Sequence, residues 1–175
     1  MSSAGKALRE WIEGLCLGTV GSGYAISSGR FHLAAEDRTL ETQPQGALER
    51  AVEVHIDGHE AIVERNHYDG QALVKFNCRV QVAYPLTRAG GDLVEGLTEQ
   101  NGPSTLDAIR DRALTDYLDL ARVFCDPDNR ALAAPSIIAI ISEESYEIEE
   151  GTDRCILTIP LRIDTQIVTT SAYAP

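Results

Sequence analysis

Closely spaced cysteines, long apolar runs, aromatic residues and basic charge are absent or scarce in this chain, and each shortage closes off a class of protein. The four cysteines, Cys16, Cys78, Cys125 and Cys155, lie far apart and form no C-x-x-C pair. Zinc sites are built from short Cys or His spacings, so these read as reduced, mostly buried residues of a protein made in a reducing compartment. The longest apolar run, Ile137 to Ile141, falls far short of the ~18 residues of a membrane-spanning helix. Near the N-terminus Glu10 and Glu13 follow Lys6 and Arg9, where an export signal needs an unbroken apolar stretch. Neither a membrane segment nor an export signal is expected. Aromatic residues are only 6% of the chain, so aliphatic side chains must fill a core drawn from 43% hydrophobic residues. The 15 Lys and Arg stand against 27 Asp and Glu, a net charge of −12. Phosphate backbones are repelled by such a surface. A conventional nucleic-acid-binding face is therefore not expected, whereas high solubility, or a channel wall past which DNA slides, is.

The length of 175 residues fits a single domain, 1–175, without internal repeats. Leu8, Trp11, Ile12 and Leu15 recur on one face of a 3.6-residue period, predicting a short helix over Ala7 to Leu17 with Ser3 as N-cap and Gly18 as stop. The stretch 18–46 is loop-rich. GTVGSGYAISSG, from Gly18 to Gly29, reads as a flexible loop, and Arg38 to Gly46 as another after an ambiguous piece around Phe31 to Ala35. Val52, Val54 and Ile56 alternate with Glu53, His55 and Asp57, the signature of a half-buried strand. Asp57-Gly58 and Tyr68-Asp69-Gly70 read as turns, with Ala61 to Glu64 a further strand piece between them.

From Ala72 to Tyr84, alternate residues Ala72, Val74, Phe76, Cys78, Val80, Val82 and Tyr84 form one apolar face, opposed by Lys75, Asn77, Arg79 and Gln81. One solvated face fits an antiparallel sheet, and Pro85 ends the strand. Leu86 to Gly102 is long for a plain connection, and loops of that length are often functional. A long helix follows Pro103, with Ser104 and Asp107 at capping-box spacing. Its apolar stripe is Leu106, Ile109, Ala113, Tyr117, Leu120, Ala121 and Phe124, and Asp126-Pro127 ends it. Ile137 to Ile141 is apolar on both faces and reads as a central strand. Glu143 to Asp153 reads as an acidic hairpin turning near Gly151. A last long strand carries Cys155, Leu157, Ile159, Leu161, Ile163 and Ile167 on one face, with Pro160 pointing to an edge or a bulge. The tail 169–175 reads as flexible. The expected fold class is α+β: a mainly antiparallel sheet, one long amphipathic helix packed on one face, and a short N-terminal helix.

No motif carries recognisable chemistry. His55 and His59 have H-x3-H spacing, but Gly58 between them breaks the helix that would aim both at one metal. Gly18 to Gly23 follows a helix and lacks the lysine of a phosphate loop. Asp126-Pro127-Asp128-Asn129 fails the ligand spacing of a calcium loop. Glu143, Glu144, Glu147, Glu149 and Glu150 form a dense acidic cluster, which reads as a solvated hairpin or an electrostatic surface in an assembly. No catalytic residue, cofactor or metal is expected.

Three stretches then carry a resemblance: VKFNCRVQVAYPL from Val74 with the Gly-rich connection after it, the helix STLDAIRDRALTDYLDLARVF from Ser104, and Pro135-Ser136-Ile137 leading to the closing CILTIPLRID from Cys155. Their order resembles the tail-terminator, or tail-completion, proteins of long-tailed bacteriophages and the related neck proteins. The likeness spans roughly the last two-thirds of the chain, from about Val52, and rests on the succession of elements. It implies a virion protein, made in the host cytoplasm, that forms a ring, commonly of six subunits, on the last ring of the tail tube. Its partners would be its own copies, the tail-tube protein and the head–tail connector or neck protein. DNA would pass through without specific binding. On this reading Arg88, Asp92, Leu93, Val94, Glu95 and Leu97 meet a neighbouring subunit or the tube, and the five glutamates line the lumen or an interface. Competing classes are a small ligand-binding or enzymatic α+β domain, which would need a closed pocket lined by His55, His59 or the acidic cluster, and a monomeric adaptor for cellular partners.

Overall fold

The computed structural model describes residues 3–35, 39–44, 47–66, 71–85, 105–131, 136–142, 147–150 and 154–168. The Tyr68–Gly70 turn, the Leu86–Gly102 connection, Ser104 and the 169–175 tail all fall outside the described residues. The fold is mixed α+β, as the alternation of strand and helix periods predicts. In chain order the elements are α1 (Ser3–Leu17), β1 (His32–Leu33), β2 (Ala51–Asn66), β3 (Gln71–Pro85), α2 (Thr105–Cys125), α3 (Pro127–Ala131), β4 (Ser136–Ser142), β5 (Glu147–Glu150) and β6 (Arg154–Val168). They build one six-stranded sheet ordered β1-β2-β3-β6-β4, with β5 also paired to β6. The β1–β2 pairing is parallel and the others are antiparallel.

The core forms where the period-two faces of the sheet meet the stripes of the helices. Val74, Phe76, Cys78, Val80, Val82 and Tyr84 of β3 join Cys155, Leu157, Ile159, Leu161 and Ile163 of β6 in one buried cluster. The same cluster takes in Leu8, Trp11, Ile12, Leu15 and Cys16 of α1 and Ile109, Ala113, Leu120, Val123 and Phe124 of α2. Each fully buried Leu or Ile there contributes about 1.5–3 kcal/mol relative to exposure. On the opposite face β3 is polar from Lys75 to Gln81 and gives way to an apolar patch at the end that holds Ala83. There Ala83 and Ile156 are covered by Leu40, Leu48 and Ala51.

Several expectations are corrected. Asp57-Gly58 is not a turn: β2 runs unbroken from Ala51 to Asn66, and the pairing steps from Ile56–Cys78 to Gly58–Asn77. Asp57 is thus the extra residue of a bulge, and its carboxylate takes two 2.7 Å hydrogen bonds from Arg79. β4 is not central: it ends the strand order and pairs only with β6 among the described residues. Its apolar sequence does not require a strand on both sides, since α2 and α3 lie against it. Pro160 lies in a central strand, neither at the sheet's edge nor in a bulge. It falls in a local gap, because β4 pairs with β6 only from Leu161 on, and β5 only up to Thr158. A residue with no N–H to donate fits that interruption.

The Gly/Ser segment is likewise no loose loop. Gly18, at φ +66°, ends α1, with its N–H donating to the Leu15 carbonyl and that of Thr19 to the Gly14 carbonyl, the paired bonds of a left-handed cap. Farther on, the Ser22 and Gly23 amides both donate to Asn129 Oδ1 at 3.0 Å, and the Tyr24 amide to Asp126 Oδ2 at 2.9 Å. Asn129 Nδ2 returns a bond to the Tyr24 carbonyl at 2.8 Å. Asp126 also accepts from the amides of Asp128 and Asn129, so Asp126-Pro127 caps and opens the five-residue α3 directly after α2.

A side chain at position 23 would collide with the Asp126 carboxylate, whereas Gly58 has open space where a Cβ would stand. Gly23→Ala is expected to lower the unfolding free energy by about 2 kcal/mol. Gly58→Ala is expected to be neutral or to raise it by up to about 1 kcal/mol. Urea denaturation of the two variants checks both.

Candidate functional site

The polar chemistry of the molecule concentrates where the 18–50 segment meets α2. Asp116 occupies the centre of the α2 stripe, between Ala113 and Leu120, and is wholly buried. Its Oδ1 accepts from Nε and Nη2 of Arg30 and from Nη2 of Arg50 at 3.1 Å. Its Oδ2 accepts from Arg50 Nε at 2.7 Å and from the Tyr84 hydroxyl at 2.9 Å. Arg30 also reaches Asp119 Oδ2 at 2.5 Å, and the Tyr24 hydroxyl donates to Asp119 Oδ1 at 2.9 Å. Both guanidinium groups lie near the buried ring of Phe31, at 5.5 and 6.0 Å from its centroid, close enough for a cation–π contribution.

The backbone is bent to make this possible. Arg50 has φ +57°, the one left-handed non-glycine conformation among the described residues. Its amide donates to the Ala83 carbonyl, and its own carbonyl accepts from His32. One residue thereby joins the start of β2, the end of β3 and β1 while its side chain turns inward to Asp116. Such a conformation costs about 1–2 kcal/mol for a residue with a Cβ and persists because the surroundings fix it.

Titration properties follow from this packing. Burial drives the Tyr84 hydroxyl pKa above its ordinary range, and the neighbouring Asp116 charge adds to it. Burial alone would lower the pKa of Arg30, but its hydrogen bonds to Asp116 and Asp119 outweigh that, and the net shift is upward. The hydrogen bond from Arg30 holds the Asp119 carboxyl below the usual aspartate range, with the Tyr24 bond acting in the same sense. Both oxygens of Asp116 are engaged by donors from Arg30, Arg50 and Tyr84. The arrangement joins elements, and it lacks the nucleophile–base pairing of covalent catalysis.

None of the sequence-predicted site residues that are described belongs to this cluster. Arg88, Asp92, Leu93, Val94, Glu95 and Leu97, together with Glu143 and Glu144, fall outside the described residues. Glu147, Glu149 and Glu150 are in β5, paired in register with β6, and the Glu147 side chain is exposed. His55 and His59 both lie on β2 rather than at a turn, with His55 Nε2 at 3.3 Å from Glu53 Oε1. Among the described residues no three His, Cys, Asp or Glu side chains are grouped to hold a metal. A cavity of about 120 Å³ opens between α1 and the β1–β2 edge, lined in part by Arg9, Glu13 and Glu53. That is below the roughly 300–1,000 Å³ of small-molecule sites. In the Gly18–Gly23 stretch, which sequence alone could cast as a phosphate cradle, the Gly18, Thr19 and Val20 amides donate to the Leu15 and Gly14 carbonyls and the Ser22 and Gly23 amides to Asn129. Asp116 itself was open to detection: it stands seven residues after Ile109 and four before Leu120, an acid in an apolar register.

No protein-family model matches the chain, and no curated protein matches it significantly.

Three outcomes follow from this geometry. Asp116→Asn, which leaves two guanidinium groups without their shared charge, is expected to cost about 3–5 kcal/mol in urea denaturation. Arg50→Gly is expected to be about 1 kcal/mol more stable than Arg50→Ala, because both lose the ion pair but only glycine relieves the φ of +57°. For Asp119 the folded pKa is depressed, so its contribution is present above the ordinary aspartate pKa and lost as pH falls through the folded value. The stability gap between wild type and Asp119→Asn should therefore narrow as pH falls below the ordinary aspartate range in a denaturation series.

Proposed function

We propose that this chain is a structural virion protein that caps a phage tail tube as a ring, commonly of six subunits, and joins the tail to the head connector or neck. What supports the reading is the succession of elements. A long strand ends at Pro85, a long helix follows it, and β4, the acid-bearing β5 and the long closing β6 return to the same sheet. The reading takes with it the finer fold description: a mainly antiparallel sheet with one long amphipathic helix on one face and a short N-terminal helix. It also agrees with a polar hub engaged in holding elements together. No described helix is long and apolar enough to cross a membrane.

On this reading the connection that contains Arg88, Asp92, Leu93, Val94, Glu95 and Leu97 meets the adjacent subunit or the tube. The acidic residues Glu143, Glu144, Glu147, Glu149 and Glu150 face a lumen through which the duplex slides, because carboxylates and phosphates repel.

Deleting Arg88 to Thr98 is expected to leave a folded chain that no longer caps tails, scored by tail length and head joining in electron micrographs. Tails of normal length joined to heads would overturn the role of the connection. Replacing Glu143, Glu144, Glu147 and Glu149 with Gln should impair DNA passage and leave assembly intact. Loss of assembly would make the cluster an interface instead of a channel wall.

A further inference from the structure

α2 carries a second seam besides its buried one. Leu114, Leu118, Ala121 and Cys125 follow Asp111 in steps of three and four residues, the spacing that keeps a stripe turned toward a partner helix. Leu114 is 38% and Leu118 50% exposed, Cys125 is exposed, and Ala121 is half-buried. Two exposed leucines alone would be ordinary on a soluble protein. The charges at the ends of the seam add direction. Asp107 and Asp111 stand exposed toward the N-terminal end, and Arg122, 68% exposed, toward the C-terminal end.

Two copies of α2 set antiparallel and crossing at Leu114 and Leu118 bring Asp111 of each beside Arg122 of the other, and they also oppose the two helix dipoles. A parallel pair would set Asp111 against Asp111 and Arg122 against Arg122. Arg110, on the other flank of the seam, is drawn toward Asp107 at 3.4 Å, whereas Arg122 lies 3.9 Å from Asp119 and is only loosely held within its own helix.

We propose that the outer seam of α2 is a twofold contact between two copies of this chain, with Leu114 and Leu118 at its centre and an Asp111–Arg122 pair at each end. An isologous contact closes at two subunits. It therefore pairs free subunits or stacks one ring on another and does not build the ring itself, and it does not rest on the ring reading.

The test is sedimentation equilibrium of the full chain and of four variants, each first shown to be folded by circular dichroism. The wild type is expected to show a reversible monomer–dimer step and Leu118→Glu to lose it. Asp111→Arg and Arg122→Glu should each weaken the step by about tenfold, and the double variant should recover most of that loss. The proposal is overturned if the wild type shows no dimer step, if Leu118→Glu dimerises like the wild type, or if the double variant is no tighter than the single ones. Tail capping by Leu118→Glu is scored separately. It is expected to persist, because a twofold contact does not itself build a ring.

Discussion

A buried carboxylate with no exposure to water is the constraint on which the rest of this structure turns. Asp116 is held by two arginines and a tyrosine drawn from separate parts of the chain. Removing a carboxylate from water is costly, and a buried ion pair often contributes little net stability over well-packed apolar residues. What it imposes is selectivity. Arg30 must arrive from the 18–31 segment, Arg50 from the start of β2 and Tyr84 from the end of β3. Any arrangement that misplaces one of them leaves a buried charge or hydroxyl unpaired. The left-handed backbone at Arg50 is the local strain that this geometry demands.

The second consequence is that a segment with almost no regular structure is ordered. Among the described residues between α1 and β2 only the two residues of β1 are strand, yet the path of those residues is fixed at several points. Asn129 and Asp126 hold the amides of Ser22 to Tyr24, Arg30 meets Asp116 and Asp119, and Arg154 donates to the carbonyls of Leu40, Glu41 and Gln43. Each of these anchors belongs to an element from the second half of the chain. Loop closure of such span costs entropy before any contact compensates it. The segment is therefore expected to settle only once α2 and β6 are in place.

That dependence explains what the sequence could disclose. β3 and β6 were legible because the buried sets Val74 to Tyr84 and Cys155 to Ile163 repeat strictly every second residue, and this period needs no distant information. The α2 stripe was legible for the same reason at a period of 3.6. Asp57-Gly58 misled because a bulge and a turn draw on the same residues; only the register with β3 separates them. Pro160 misled because a central strand can contain a local edge wherever its neighbours on one side are two short strands. The Gly/Ser segment was opaque because its order comes from bonds to residues about 100 positions away, which no local composition encodes. Of the candidate site, the acidic strand was readable as charge but not as geometry. The Asp116 hub was readable only as an anomaly, a charge standing where the helical period calls for an apolar residue.

The outer polar face of the sheet sharpens the question of where the excess negative charge acts. Lys75 stands opposite Asp164 in the β3–β6 register, and Arg79 is bound to Asp57. Acid and base are interspersed there, so that face carries no strong single-sign field. Glu147 and Glu149 of β5, in register with Thr158 and Ile156, add carboxylates at one margin of that face, and in the sequence the stretches 36–37, 92–99 and 143–150 are rich in carboxylates. The acid of this chain is thus gathered in a few stretches of the sequence. The outer seam of α2, with acid at one end and Arg122 at the other, is by contrast a surface of mixed charge, and that is what fits it to the proposed twofold contact.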